Sequence, residues 1–187
     1  MIKISHEVPL CMLEESKSFN EYDYALVHLF DEHPKYLEFF KQSLKIGREV
    51  LLDNSIFELK KAFDEVEFAN WIEELRPTRY IIPDVLDDCE STIDNIVSWN
   101  QKFKHLPGRS IGVVQGTNYE ELTKCYQFIV ENCDEVAICF PHAHHQSEGL
   151  SKEAFEERMF NRQNLIKKWI LEKVINHEVR HHLLGCL

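Results

Sequence analysis

The sequence predicts an α/β fold of the (β/α) barrel type, TIM-barrel-like and incomplete, with about six β/α units. Three observations predict it. Apolar runs of strand character recur near residues 24, 50, 80, 110, 135 and 182. The first five start about 25 to 30 residues apart, the length of one right-handed βαβ unit. Stretches with apolar residues at helical spacing lie between them, and several of the runs end in polar residues.

The elements follow in order. Met1 to Glu21 has no periodic pattern and reads as irregular. Tyr24-Ala25-Leu26-Val27-His28-Leu29-Phe30 is the first strand candidate. Pro34 then suits a helix start, Tyr36, Leu37, Phe39, Phe40 and Leu44 form its apolar stripe, and Gly47 suits its end. Val50-Leu51-Leu52 is continuous enough for a buried strand. A short helical stretch is expected over Leu59 to Phe63. A longer helix carries Phe68, Trp71, Ile72 and Leu75 and stops before Pro77.

Tyr80-Ile81-Ile82 is the third strand. Ser91-Thr92 suits the opening of a helix carrying Ile93, Ile96 and Val97, which Leu106-Pro107-Gly108 closes. Ile111 to Val114 is the fourth strand. Asn118 followed three residues later by Glu121 has capping-box spacing before the stripe Leu122, Cys125, Tyr126, Ile129. Glu135 to Phe140 is the fifth strand, and Pro141 to Gly149 the longest polar loop. A helix from Ser151 is expected to reach about His177, before a last strand at His181 to Leu187. There is no tandem repeat, low-complexity segment or linker, so residues 1–187 are expected to form a single domain, with truncation at its C-terminus as an alternative.

The 187 residues carry a net charge of −11, which argues against a broad electrostatic grip on nucleic acid. Two modest basic clusters, Lys102, Lys104, His105, Arg109 and Arg158, Arg162, Lys167, Lys168, read as solvated helix faces. The six cysteines form no Cys-x-x-Cys pair, so they read as reduced thiols of a cytoplasmic protein, several of them core fillers. No run suits a membrane span or signal peptide. The chain lacks a GxGxxG fingerprint, a Walker loop and a GxSxG elbow, so no nucleotide cofactor or serine nucleophile is expected.

Chemistry is expected at the strand ends. Leu52 leads into Asp53-Asn54-Ser55, Ile82 into Pro83-Asp84, and Val114 into Gln115-Gly116. Any one of these is most simply a cap or turn. Three at equivalent places on consecutive units are how (β/α) proteins assemble a site. Asp87 and Asp88 read as a helix cap. The histidines His142, His144 and His145 offer a weaker alternative as ligands of a zinc hydrolase.

These motifs resemble the tRNA-guanine transglycosylase superfamily, the queuine and archaeosine tRNA-ribosyltransferases. Leu52-Asp53-Asn54-Ser55-Ile56-Phe57 resembles its Asp-Ser-Gly-Gly-Phe-Gln signature. Ile82-Pro83-Asp84 is similar to its second strand-end Asp, and Gly112-Val113-Val114-Gln115-Gly116 to its Gly-Ile-Val-Gln-Gly. The motifs stand in the family's order, and the set is most similar to transglycosylase-like proteins of phages and of the DNA-modifying branch. The resemblance implies a cofactor-free barrel enzyme exchanging guanine for a 7-deazaguanine in tRNA or DNA. It implies an acid/base role for Asp53, and purine contacts from Asn54, Ser55, Asp84, Gln115 and Gly116. The chain departs from the family where Asn54-Ser55-Ile56 replaces the double glycine. The strand that carries the family's nucleophilic Asp would follow His182 to Gly185, where the sequence stops. The sequence therefore also allows a non-catalytic base-binding or nucleic-acid-binding subunit, with a homo-oligomer or a partner chain completing the barrel.

Overall fold

Continuous apolar runs make parallel strands when both faces are to be covered. Val50, Leu51 and Leu52 have no exposed surface and form β2 (Val50–Asp53). A computed structural model describes residues 2–61, 63–139 and 152–185, with side chains of 152–160 excepted. The other strands are β1 (Asp23–Leu26), β3 (Arg79–Ile81), β4 (Arg109–Val114), β5 (Glu135–Ile138) and β6 (Arg180–Leu183). The strand order is β1-β2-β3-β4-β5-β6. The pairs β1/β2, β2/β3, β4/β5 and β5/β6 are parallel. This is the expected α/β class, with strands following chain order as in (β/α) barrels instead of reversing at a switch point as in doubly wound sheets.

The helices are α1 (Leu13–Ser16), α2 (Leu29–Glu32), α3 (Pro34–Lys45), α4 (Ile56–Leu59), α5 (Glu65–Leu75), α6 (Cys89–Lys102), α7 (Tyr119–Asn132) and α8 (Lys152–Leu171). The chain packs as two compact units, Met1–Pro83 with Gln101–Ser110, and Asp84–Asn100 with Ile111–Leu187.

In the first unit, α3 starts with Pro34 at its first turn and buries Tyr36, Phe39, Phe40 and Ser43. Its rings join an edge-on aromatic cluster: Tyr36–Phe40 at 4.7 Å, Phe39–Phe40 at 5.0 Å and Phe30–Trp71 at 5.4 Å. Such pairs add stabilisation beyond the area they bury. Asp64 caps α5 by accepting from Val66 N and Glu67 N, and Arg76 closes it in a left-handed conformation at φ 54°. The start of β1 is pinned by Arg48, whose Nε and Nη2 donate to the two oxygens of buried Asp23 at 3.0 and 2.8 Å. Two-pronged geometry of this kind compensates the desolvation of a buried carboxylate.

The amino-terminal segment is less irregular than its pattern suggests. Leu10–Met12 makes a 3-10 turn leading into α1. Ile4 exchanges hydrogen bonds with Glu21, through Ile4 N to Glu21 Oε2 at 2.7 Å and Glu21 N to Ile4 O at 2.9 Å. His6 exchanges a similar pair with the Asn20 amide, both at 2.8 Å. The segment is thereby strapped beside the residues that lead into β1.

In the second unit, α7 lies so close to β4 that a Cβ on Gly112 would stand 2.7 Å from Ile129 Cγ2. Asn118 caps α7 as its spacing predicts, accepting from Glu121 N at 3.0 Å, while Glu121 reaches back to Thr117 N at 2.8 Å. Trp169 of α8 is fully buried, donating from Nε1 to Thr123 Oγ1 at 2.8 Å and packing 4.9 Å from the Tyr126 ring. Buried Glu135 of β5 bonds His182 Nε2 of β6.

Several boundaries differ from expectation. The first strand, expected to run to Phe30, ends at Leu26, and Leu29–Glu32 forms α2 instead. The short helix expected at Leu59 to Phe63 forms earlier, as α4, because Ser55 and Lys60 adopt left-handed conformations at its two ends. The helix expected to reach His177 ends at Leu171. Lys173 turns left-handed at φ 58°, and Val174 N bonds Trp169 O at 2.8 Å. That is a Schellman closure made without the usual glycine. The last strand is shorter than expected and begins at Arg180. No helix of the described residues is long and apolar enough to cross a membrane.

Candidate functional site

Each unit gathers polar side chains at the C-terminal ends of its strands. In the first unit the register sets Leu26 of β1 beside Asp53 of β2. Asp53 is half-buried. Its Oδ1 accepts the Ser55 N–H at 2.6 Å, and its Oδ2 accepts the Tyr24 hydroxyl. Burial, then the Asp53 charge, raises the Tyr24 pKa well above the ordinary phenol value, so the phenol stays a donor. Ser55 is fully buried and left-handed at φ 59°, a conformation costing a non-glycine residue about 1–2 kcal/mol. Its Oγ lies 3.4 Å from His28 N.

Asn54 is equally buried, but its amide serves the backbone: Nδ2 donates to Ile82 O at 3.1 Å and Oδ1 accepts Ile56 N at 2.9 Å. These bonds hold the loop after β2 against the end of β3. The sequence pattern gives no sign of two neighbours of this cluster. His28 follows an apolar run, yet its Nδ1 is buried without a hydrogen-bond partner among the described residues. Glu7 arrives from the amino-terminal strap, its carboxyl raised above the usual range by burial and then by Glu58.

In the second unit Asp84 follows β3 and Gln115 follows β4. They are 3% and 2% exposed, and Gln115 Nε2 donates to Asp84 Oδ2 at 2.6 Å. Gln115 Oε1 accepts the N–H of Asp87 at 3.0 Å. Asp87, like Ser55, is left-handed at φ 59°. Asp88 is the cap of α6: Oδ1 accepts Ser91 N at 3.0 Å and Oδ2 accepts Ser91 Oγ at 2.7 Å. The cap expected from Asp87 and Asp88 is thus made by Asp88, while Asp87 braces Gln115.

Gln115 and Gly116 border a pocket of about 370 Å³, walled also by Asn118, Cys139, Arg162 and Lys168. That is within the size range of small-ligand sites. The carboxamide of Gln115 has two N–H donors and one is spent on Asp84, so the other remains for a ligand acceptor. Gly116 is required here: its φ is +152°, and a Cβ would stand 2.9 Å from Glu121 Cβ and 3.1 Å from Leu122 N. Arg162 departs from the solvated face expected of it. It is 3% exposed and donates from Nη1 to Leu184 O at 2.7 Å. Cys139 donates to Val114 O at 3.4 Å, and burial pushes its thiol up to about 12.

Lys102 pairs with Glu65 at 2.6 Å and His105 with Glu73 at 3.3 Å, as solvated helix faces do. His142, His144 and His145 lie outside the described residues. Among the described residues no group of three or more His, Cys, Asp or Glu side chains is arranged to hold a metal ion. Comparison of the sequence with protein-family models and with curated proteins finds no match. The class defined by fold and site is structural: an α/β protein of parallel strands in chain order, with a half-buried carboxylate at the end of β2 and a buried carboxylate–amide pair after β3 and β4.

Proposed function

We propose that this chain is a transglycosylase-like protein of (β/α)-barrel type, which binds guanine or a 7-deazaguanine and exchanges one for the other in tRNA or DNA. One observation carries the reading: Gln115, which lines a pocket, is held rigid between Asp84 and the Asp87 N–H. A carboxylate and an amide fixed side by side match the alternating donors and acceptors of a purine edge. Rigid polar groups discriminate strongly, because a wrong ligand leaves them unpaired. Gly116 keeps the pocket wall free of a side chain. A base embedded in a nucleic acid must leave its stack to reach such a pocket. Asp53, in the first unit, keeps the acid/base role that the family resemblance gives it.

The test offers labelled guanine with tRNA and DNA in parallel and measures incorporation. Calorimetry with guanine and with an aminomethyl-7-deazaguanine is run beside it. Guanine binding that weakens about ten-fold or more in Asp84→Asn supports the reading, as expected for a buried polar mismatch of about 1–3 kcal/mol. Wild-type protein that binds neither base refutes it.

A further inference from the structure

The register of β1 and β2 carries information beyond the fold. Tyr24 pairs with Leu51, two positions before Asp53. Residues two apart on a strand share a face, about 6.6 Å from each other along it. A tyrosine is long enough to span that gap, and its hydroxyl reaches Asp53 Oδ2. Buried Tyr36 of the same unit behaves differently. Tyr36 uses its hydroxyl to accept the backbone N–H of Leu26 at 2.9 Å, a partner that serves packing alone. Tyr24 is committed to a half-buried carboxylate at a strand end.

We propose that Tyr24 is a positioning residue, aiming the Asp53 carboxylate and holding it ionised for proton transfer. The inference rests on the reading of Asp53 as the acid/base group. Tyr24 keeps its own proton throughout. Asp53 accepts a proton from the reacting base or water and returns it, so no other group changes state. Two fixed donors, the Tyr24 hydroxyl on one oxygen and the Ser55 N–H on the other, set the plane of the carboxylate. They also oppose a local excess of negative charge. Glu7 from the strap and Glu58 from α4 act on Tyr24 together with Asp53, and on Tyr36 as well. His28 is a further titratable residue beside this loop, its backbone N–H 3.4 Å from Ser55 Oγ. Without the Tyr24 donor, Asp53 faces Glu7 and Glu58 with one anchor fewer, and like charges favour its protonated form.

The experiment compares the full wild-type chain with Tyr24→Phe, Asp53→Asn and the double variant. Guanine exchange is followed against pH, guanine binding by calorimetry, and the Asp53 carboxyl carbon by NMR titration. In Tyr24→Phe, guanine affinity is expected to stay within about two-fold of wild type. Exchange is expected to fall about ten-fold or more, and the acid limb and the Asp53 carbon midpoint to move up by about half a pH unit or more. In the Asp53→Asn background the same change has no further effect on exchange. An Asp53 carbon that titrates alike in wild type and Tyr24→Phe overturns the proposal, as does a Tyr24→Phe penalty that persists without the Asp53 carboxylate. If wild-type protein exchanges no guanine, the base-exchange reading fails separately. The carbon titration then still decides whether Tyr24 holds Asp53.

Discussion

Gln115 and Asp84 are 31 residues apart in the chain and 2.6 Å apart in space, both almost wholly buried. The pair is a buried polar contact whose members each depend on the other. Gln115→Ala leaves the Asp84 carboxylate and the Asp87 N–H without their amide partner. Losing a buried polar partner of this kind costs about 1–3 kcal/mol. Urea unfolding is expected to show a loss in that range. A loss below about 0.5 kcal/mol would mean that the pair is not buried in solution.

Gly116 is constrained by its positive φ and by the Glu121 and Leu122 atoms that crowd it. Gly116→Ala is expected to destabilise by about 1–3 kcal/mol, since neither the backbone conformation nor the first turn of α7 accepts a Cβ. Thermal unfolding of the variant at unchanged Tm would show that the loop after β4 is free to rearrange.

Arg76 occupies the left-handed closing position of α5 and is exposed. Arg76→Gly removes the Cβ conflict there. The expected outcome is a gain of about 0.5–1 kcal/mol, or about 1–4 °C in Tm for a chain of this size. A lower Tm would count against the left-handed turn.

Glu49 gives a pH dependence of definite sign. Burial by itself would raise its pKa, but hydrogen bonds and charge from Lys3 and Arg79 bring it down to about 2. A carboxylate depressed in the folded state contributes stability above its unfolded pKa, and that contribution is lost as pH falls toward the folded value. Wild-type protein should therefore lose more stability than Glu49→Gln between about pH 4.5 and pH 2. Parallel acid-unfolding curves for the two would remove Glu49 from the account.

The thiols divide by burial. Cys125, Cys133 and Cys139 are each pushed up to about 12, first by desolvation, whereas Cys11 is exposed. Only a thiolate is reactive. At pH 8 a thiol reagent should label exposed Cys11 at once, half-buried Cys133 and Cys139 more slowly, and buried Cys125 only on unfolding. Rapid labelling of Cys125 in folded protein, read by peptide mass spectrometry, would contradict its burial against β4.

What the sequence by itself determined is the order and character of the elements. Val50 to Leu52 reads as a buried strand, Pro34 as a helix start and Asn118 as a cap, and each is found in that role. These features rest on apolar periodicity and on hydrogen bonds spanning three or four residues, so a linear reading contains them. It also singled out Asp53, Asp84 and Gln115, because a polar residue interrupting an apolar run marks a strand end. Only the tertiary structure decided what those residues touch. It gave Asn54 to the Ile82 carbonyl, Gln115 to Asp84, Tyr24 to Asp53, and Arg162 to the Leu184 carbonyl. It also placed left-handed turns at Ser55, Asp87 and Lys173, where no glycine announces them. The physical reason is range. Strand register and helix packing bring together groups 22 to 31 residues apart, and a buried polar group takes the partner that this packing delivers, since going without one costs more than any local preference.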